Sequence, residues 1–159
     1  MRQIIKITAG LFALIAVTSG CSKKDDVEVD KEYPVINVTA ADAFPKQCSV
    51  IKRGETFTFR ALLTDNAQLG SVSVDIHHNF DQHSHSTEVT QCEAEAVKAP
   101  VKPFLLIKSY PITAGLKTYE VVQQIDVPAD IDPGDYHFLI RLSDKEGWQT
   151  IKGLSIKIQ

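Results

Sequence analysis

Apolar and polar residues alternate one by one along much of the chain after residue 33. In the stretch "ETFTFRALLTD" (55–65), Phe57 and Phe59 flank Thr58, and "GSVSVDIHHN" (70–79) repeats the alternation. A period of two residues predicts β-strands with one apolar and one polar face. The same pattern predicts further strands at 34–40, 117–128, 134–144 and 148–159, and an edge strand at 104–108 within the otherwise irregular segment 93–116. No helical period of useful length appears in this part of the sequence.

Turn sequences such as "DNAQLG" (65–70) and "SDKEG" (143–147) separate the predicted strands. Short strands at this spacing predict an all-β fold, a β-sandwich over residues 34–159. The stretch "PADIDPGDYHFLIRLSDKEGW" (128–148) resembles the end of many immunoglobulin-like domains, in which Gly-x-Tyr opens the penultimate strand. This resemblance implies an immunoglobulin-like β-sandwich in which the hydroxyl of Tyr136 bonds to nearby backbone as a tyrosine corner.

The N-terminus reads "MRQIIKITAGLFALIAVTSGC" (1–21), with Arg2 and Lys6 ahead of a short apolar run. That run is shorter than the roughly 20 apolar residues that span a bilayer, so we interpret residues 1–20 as a signal peptide. Its "TSGC" ending resembles a bacterial lipoprotein signal, which implies cleavage before Cys21 and lipidation of that cysteine. The alternative is an ordinary secretory signal followed by a chance cysteine.

Residues 21–33 are charged and nearly free of large apolar side chains, which predicts a flexible tether. The "KKDD" stretch (23–26) resembles signals that send lipoproteins to the outer cell surface in Bacteroidota. We therefore expect a cell-envelope protein, an outer-membrane lipoprotein exposed at the surface and held to the membrane by its lipid. The formal net charge is −3 and becomes −5 when Arg2 and Lys6 are removed, so nucleic acid is not an expected partner.

Four of the five histidines fall within residues 77–85, "HHNFDQHSH". In an immunoglobulin-like sandwich, the strands at 70–79 and 134–144 are antiparallel neighbours. Side chains alternate between the faces of a strand, so His77 and His137 should share the outer face at the same end. The loop that carries His83 and His85 leaves the strand at that end and can fold back over them. His78 follows His77 directly, so its side chain should point to the opposite face of the strand, and we do not include it in this cluster.

Neutral imidazole is the commonest metal-binding side chain, and Zn²⁺ takes three or four nitrogen and oxygen ligands. Cu²⁺ suits an imidazole-rich site as well, so the sequence leaves the choice between Zn and Cu open. Asp81 is either a ligand or a group that orients a ligand imidazole. The predicted transition-metal site therefore consists of His77, Asp81, His83, His85 and His137. Two alternatives stay open: a solvated histidine loop that binds metals only loosely, and a pH-sensitive patch.

Lipidation of Cys21 would leave Cys48 and Cys92, an even pair in an exported and oxidising setting. Both lie in connections at the end where the histidines gather. A disulfide between them would restrain the histidine-rich loop. In the alternative, one of the two thiolates is a metal ligand.

The signal, "IHHNFDQHSH" (76–85) and "GDYHFLIRLSDKEG" (134–147) together resemble a family of Bacteroidota lipoproteins with an immunoglobulin-like domain, catalogued as domain of unknown function 4625. Gln82 stands where that family often has another histidine, so we expect no essential ligand there. The resemblance implies no mechanism.

Three classes of function remain. We expect a lipoprotein that binds a metal for acquisition, buffering or fixing of a loop. The alternative is an adhesion or accessory module that presents loops to a glycan or a protein, such as an outer-membrane protein. We do not expect an enzyme, because the sequence has no Ser-His-Asp signature, HExxH motif or phosphate loop.

Overall fold

The structure, a computed structural model, describes residues 29–85 and 92–159. These residues contain strands and no helix. The eight strands are β1 (Val35–Asn37), β2 (Val50–Ile51), β3 (Thr56–Thr64), β4 (Leu69–His78), β5 (Leu106–Pro111), β6 (Thr118–Asp126), β7 (Gly134–Asp144) and β8 (Gln149–Ile158). The seven strands that the alternation predicts are present. The two-residue strand β2 was not predicted, because two residues are too few to show a period.

The strands form two sheets, one of three strands in the order β1-β3-β6 and one of five in the order β2-β8-β7-β4-β5. All pairings are antiparallel except that of β2 with β8. Packing of the two sheets against each other confirms the predicted all-β sandwich.

The inner faces of the two sheets form one hydrophobic core. Phe59 of β3 meets Phe138 of β7 with ring centroids 5.3 Å apart, and both side chains are fully buried. Val72, Val74 and Ile76 of β4 are also fully buried. Burial of each such side chain contributes roughly 1.5–3 kcal/mol, so the alternation in the sequence strongly favours one orientation for each strand. The side chains between them, including Asp75 and His77, must then lie on the outer face.

Tyr136 fixes the entry into β7. Its hydroxyl donates a hydrogen bond to the carbonyl of Asp132 at 2.6 Å and accepts one from the backbone N–H of Phe104 at 3.1 Å. These two bonds join the start of β7 to the segment that leads into β5. The phenol ring is buried, and this burial raises the pKa of Tyr136 above its ordinary value.

Cys48 and Cys92 form a disulfide at the end of the sandwich where β7 begins. The backbone N–H of Cys48 donates to the carbonyl of Ser155 on β8 at 2.8 Å, which places the bond against the sheet. Cys92 is the first described residue after the histidine-bearing loop. The disulfide therefore holds one side of that loop close to the five-stranded sheet.

The predicted signal peptide, Cys21 and the tether up to residue 28 lie outside the described residues. The described end of the tether contacts the domain: the indole Nε1 of Trp148 donates to the carbonyl of Asp30 at 2.9 Å, and the Tyr33 ring meets Trp148 edge-on. Within residues 29–85 and 92–159, no helix is long and apolar enough to span a bilayer.

Candidate metal centre

His77 and His137 occupy directly opposed positions on the neighbouring strands β4 and β7. Both side chains lie on the outer face of the five-stranded sheet, with ring centroids 5.3 Å apart. His137 is fully buried although it points away from the core. Something must therefore cover the outer face at this point.

The chain after β4 provides this cover by turning back over the sheet. The backbone N–H of Asn79 donates to the carbonyl of Asp135, and Gln82 adopts a positive φ of 58° that reverses the chain direction. The ring of His83 then stacks on His77 with a centroid distance of 5.6 Å. Nε2 of His137 donates to the carbonyl of His83 at 3.2 Å, so the sheet histidine also holds the loop in place.

Four imidazoles converge as a result. The centroid distances among the rings range from 4.6 to 5.6 Å, and one nitrogen from each ring lies within 4.8 Å of the others; the four are His77, His83, His85 and His137. The Nε2 atoms of His77 and His85 are 3.2 Å apart. A tetrahedral Zn²⁺ with bonds of 2.0–2.1 Å needs nitrogens about 3.3–3.4 Å apart, so small side-chain shifts would bring this set onto one ion.

Two carboxylates orient the rings from outside the cluster. Asp75 Oδ1 lies 2.8 Å from Nδ1 of His77, and Asp81 Oδ1 lies 2.6 Å from Nδ1 of His83. A carboxylate at Nδ1 keeps the proton there and directs the Nε2 lone pair inward, as is usual for metal-binding histidines. The hydrogen bond from His83 also lowers the pKa of Asp81 below its ordinary value, so this carboxylate stays ionised.

The structure therefore places Asp81 in the orienting position that the sequence left as one of two alternatives. It also places Asp75 in the same role, which the sequence interpretation missed. A signal for both is present: Asp-x-His occurs at 75–77 and again at 81–83. Residues 75–77 lie on β4, where this spacing puts the carboxylate and the imidazole on the same face, whereas residues 81–83 form a turn at Gln82 that brings Asp81 to His83.

The remaining candidates lie away from the cluster. His78 is on the opposite face of β4, where its ring packs against Phe80 with centroids 4.9 Å apart. The amide of Gln82 donates to the carbonyl of Glu95 at 2.8 Å. Cys48 and Cys92 are joined to each other. None of these four side chains offers an atom to the four imidazoles.

The donor set fits a borderline divalent transition metal. Imidazole nitrogens suit Zn²⁺ and Cu²⁺, whereas Ca²⁺ and Mg²⁺ require oxygen ligands. His137 is buried, whereas the side chains of His77 and His83 are 22% and 36% exposed, so the site is closed on the sheet side and partly open to solvent on the loop side. The arrangement can hold such a metal with two ligands from the sheet and two from the loop.

Comparisons with known proteins place the chain in a family. The family model described as "Domain of unknown function (DUF4625)" matches residues 19–159. A search of curated proteins found no match.

Two solved structures show weak similarity. The superoxide reductase (neelaredoxin) from Ignicoccus hospitalis is 9% identical with a TM-score of 0.43, covering 80% of this chain and 81% of that chain. The GspB Siglec domain is 18% identical with a TM-score of 0.42, covering 82% of this chain and 59% of that chain. Neither similarity is close enough to bear on function. On the family match over residues 19–159, the chain belongs to the family of domain of unknown function DUF4625.

Proposed function

We propose that this protein is a cell-envelope lipoprotein whose β-sandwich binds one transition-metal ion, Zn²⁺ or Cu²⁺, through its histidine cluster. The observation that carries the proposal is the convergence of four imidazoles, with one nitrogen from each within 4.8 Å of the others. Two of them come from paired strands and two from a loop that folds back over those strands. A solvated histidine loop has no physical reason to gather its rings in this way.

The two carboxylates support the same function. Asp75 and Asp81 each accept a hydrogen bond from a ring nitrogen on the outer side of the cluster. This leaves Nε2 of His77 and of His83 as the atoms with inward lone pairs. A neutral imidazole with a fixed tautomer is the form that binds metal.

We propose metal binding rather than metal catalysis. Structural zinc sites are closed by four protein ligands, whereas catalytic sites keep a position open for water or substrate. Four imidazoles would fill the tetrahedral coordination of zinc. The bound metal would fasten the histidine loop to the sheet, and the same site would serve to acquire or buffer the ion.

The membrane attachment is part of the proposal and rests on the "TSGC" sequence at 18–21. Cys21 would carry the lipid and hold the domain at the outer membrane, facing the surrounding medium. The test is labelled palmitate supplied to cells that express the full chain. The native chain should incorporate the label and fractionate with membranes, and a Cys21→Ser variant should do neither. Labelling of the variant equal to that of the native chain would contradict the proposed anchor.

The metal is tested on residues 22–159, since every described strand and all of the buried core lie between residues 35 and 158. The protein is purified without a tag and without added metal, its metal content is measured by elemental analysis, and Zn²⁺ and Cu²⁺ are titrated by calorimetry. We expect about one ion per chain, with Cu²⁺ bound more tightly than Zn²⁺. A His83→Ala/His85→Ala variant should lose this binding.

Two control variants separate the site from histidine content and loop sequence. His78→Ala removes the histidine on the opposite face of β4, and Gln82→Ala changes the loop outside the cluster. Both should bind metal as the native chain does. Weak and unsaturable binding to the native chain would contradict the proposal and favour a module that presents loops to a protein or glycan.

A further inference from the structure

A second group of ligand-type side chains lies at the other end of the sandwich. Asp30 precedes β1, Asp65 follows β3, and Asp144 is the last residue of β7. One carboxylate oxygen from each lies within 4.8 Å of the other two. His137 and Asp144 are seven positions apart on β7, which corresponds to about 23 Å at 3.3 Å per residue. The group is therefore separate from the histidine cluster.

One oxygen of each carboxylate is held by N–H donors at 2.6–3.0 Å. Asp144 accepts hydrogen bonds from the backbone N–H groups of Gly147 and Trp148. Asp65 accepts them from the backbone N–H groups of Ala67 and Gln68. Asp30 accepts them from the backbone N–H of Glu32 and the side-chain amide of Asn66. These bonds fix the orientation of the three groups. They also lower the pKa of Asp30, chiefly through the Glu32 N–H.

The second oxygen of each carboxylate is buried and unpaired. Asp30 Oδ2, Asp65 Oδ1 and Asp144 Oδ2 have no hydrogen-bond partner among the residues that the structure describes. The residue Asp144 as a whole is only 4% exposed. Buried polar atoms are nearly always paired, and an unpaired buried carboxylate is costly.

The charge at this end is also unbalanced. In the described part of the chain, no cationic side chain lies within 4.0 Å of any of the three carboxylates. Lys117 lowers the pKa of Asp30 from a distance, but its ammonium group donates to the carbonyl of Asn66 at 2.7 Å. Lys117 therefore forms no ion pair with any of the three carboxylates. A metal ion that binds several oxygen ligands at once would balance this charge.

We propose that Asp30, Asp65 and Asp144 bind a Ca²⁺ ion. Calcium takes six to eight oxygen ligands at 2.3–2.6 Å, so two of its ligand oxygens can be at most about 5 Å apart. The separations of up to 4.8 Å fall within that limit. Mg²⁺ keeps most of its water and is usually held by one or two carboxylates, which fits this set of three less well. Water would complete the coordination of calcium.

The ion would fasten the segment before β1 to the two turns that follow β3 and β7. That segment already contacts the domain through Trp148, which bonds to the Asp30 carbonyl and packs against Tyr33. A consequence for orientation rests on the proposed function: if Cys21 carries the lipid, the end of the sandwich that binds calcium is the end nearer the membrane. The histidine cluster would then face away from the membrane.

The experiment is a Ca²⁺ titration of residues 22–159 after treatment with a chelator. Trp148 is the only tryptophan, and it lies against Asp30, so its fluorescence reports directly on this site. We expect a saturable change in fluorescence. At Ca²⁺ a hundredfold above the dissociation constant, the melting temperature should rise by about 5 °C or more.

Two variants and a control define the site. Asp144→Asn keeps a side-chain oxygen that can accept from the Gly147 and Trp148 N–H groups. Asp30 lies before β1 and outside both sheets. We therefore expect both Asp144→Asn and Asp30→Asn to fold. Each should abolish the response to Ca²⁺, whereas Asp42→Asn, an exposed carboxylate elsewhere, should leave it unchanged. The His83→Ala/His85→Ala variant should respond as the native chain does, which keeps this test independent of the histidine site.

No change in fluorescence or melting temperature at millimolar Ca²⁺ would overturn the proposal. An equal response of Asp144→Asn and the native chain would also overturn it. A response to Mg²⁺ as strong as that to Ca²⁺ would overturn the choice of calcium.

Discussion

His77 on β4 pairs directly with His137 on β7, and the two rings lie 5.3 Å apart on the outer face of the sheet. The pairing gives the cluster a rigid half, because β4 and β7 are neighbouring interior strands of a five-stranded sheet. The loop then needs to add only His83 and His85. A site built partly on strands keeps its geometry better than one built wholly on a loop.

The orienting carboxylates should matter for metal affinity. We expect Asp75→Ala and Asp81→Ala each to weaken Zn²⁺ binding by about 10- to 100-fold, because each frees Nδ1 of a ligand imidazole. Chelator-competition titrations on the purified domain measure this change. Asp42→Ala, a carboxylate distant from the cluster, is the control and should bind zinc normally. Unchanged affinity in both aspartate variants would mean that the two hydrogen bonds do not support a metal site.

Removal of the disulfide should destabilise the domain. Cys48 and Cys92 are separated by 44 positions, and closing a loop of that length contributes about 4 kcal/mol in the chain-entropy model. We expect a Cys48→Ala/Cys92→Ala variant to lose about this much unfolding free energy in urea, without a change in strand content by circular dichroism. Reduction of the native chain with dithiothreitol should have the same effect. A loss below about 1 kcal/mol would show that the bond adds little to folding.

Tyr136→Phe should lower the free energy of unfolding by about 2 kcal/mol near neutral pH. The variant loses the hydrogen bond to the Asp132 carbonyl and leaves the Phe104 N–H without its acceptor in a buried position. Urea unfolding measures the difference. Tyr119→Phe, on a tyrosine that is only partly buried at the sandwich edge, provides the control and should change stability by less than about 0.5 kcal/mol.

The same pair of proteins should show a specific pH dependence. Burial raises the pKa of Tyr136 above 10.0, so its phenolate is less favourable in the folded chain than in the unfolded one. The stability that the hydroxyl provides is therefore complete below pH 10 and is lost as the pH rises through the folded-state pKa. The difference between the native chain and Tyr136→Phe should shrink above pH 10. A difference that stays constant up to about pH 11 would contradict the raised pKa.

Gly70→Ala should disturb the end of the sandwich that carries the aspartates. Gly70 lies where the pairing of β4 with β7 shifts register, and an added Cβ would lie 2.4 Å from the carbonyl oxygen of Asp144. Relief of that clash requires backbone movement, which typically costs about 1–3 kcal/mol. Urea unfolding should show this loss, and the Ca²⁺ response of Trp148 should weaken at the same time. Ser73→Ala, on the same strand away from the shift, should have little effect on either measurement.

The sequence by itself determined seven of the eight strands and which face of each is buried. The alternation at Val72, Val74 and Ile76 was sufficient to assign the buried face of β4. Burying the residues between them instead would put Asp75 and His77 into an apolar core. With the resemblance of residues 128–148 to immunoglobulin-like domains, it also predicted that His137 would join His77. The parity of His78 predicted its separation from the cluster for the same reason.

Only the tertiary structure decided how the carboxylates are used. Asp81 bonds to Nδ1 of His83 because the turn at Gln82 brings them together, and Asp75 bonds to Nδ1 of His77 on the same face of β4. The group of Asp30, Asp65 and Asp144 was not predicted at all. Its members come from the segment before β1 and from the ends of β3 and β7, which are distant from one another in the sequence, and a single aspartate beside a turn is ordinary. Periodicity records which face of a strand is buried, but it carries no information on where the ends of different strands meet.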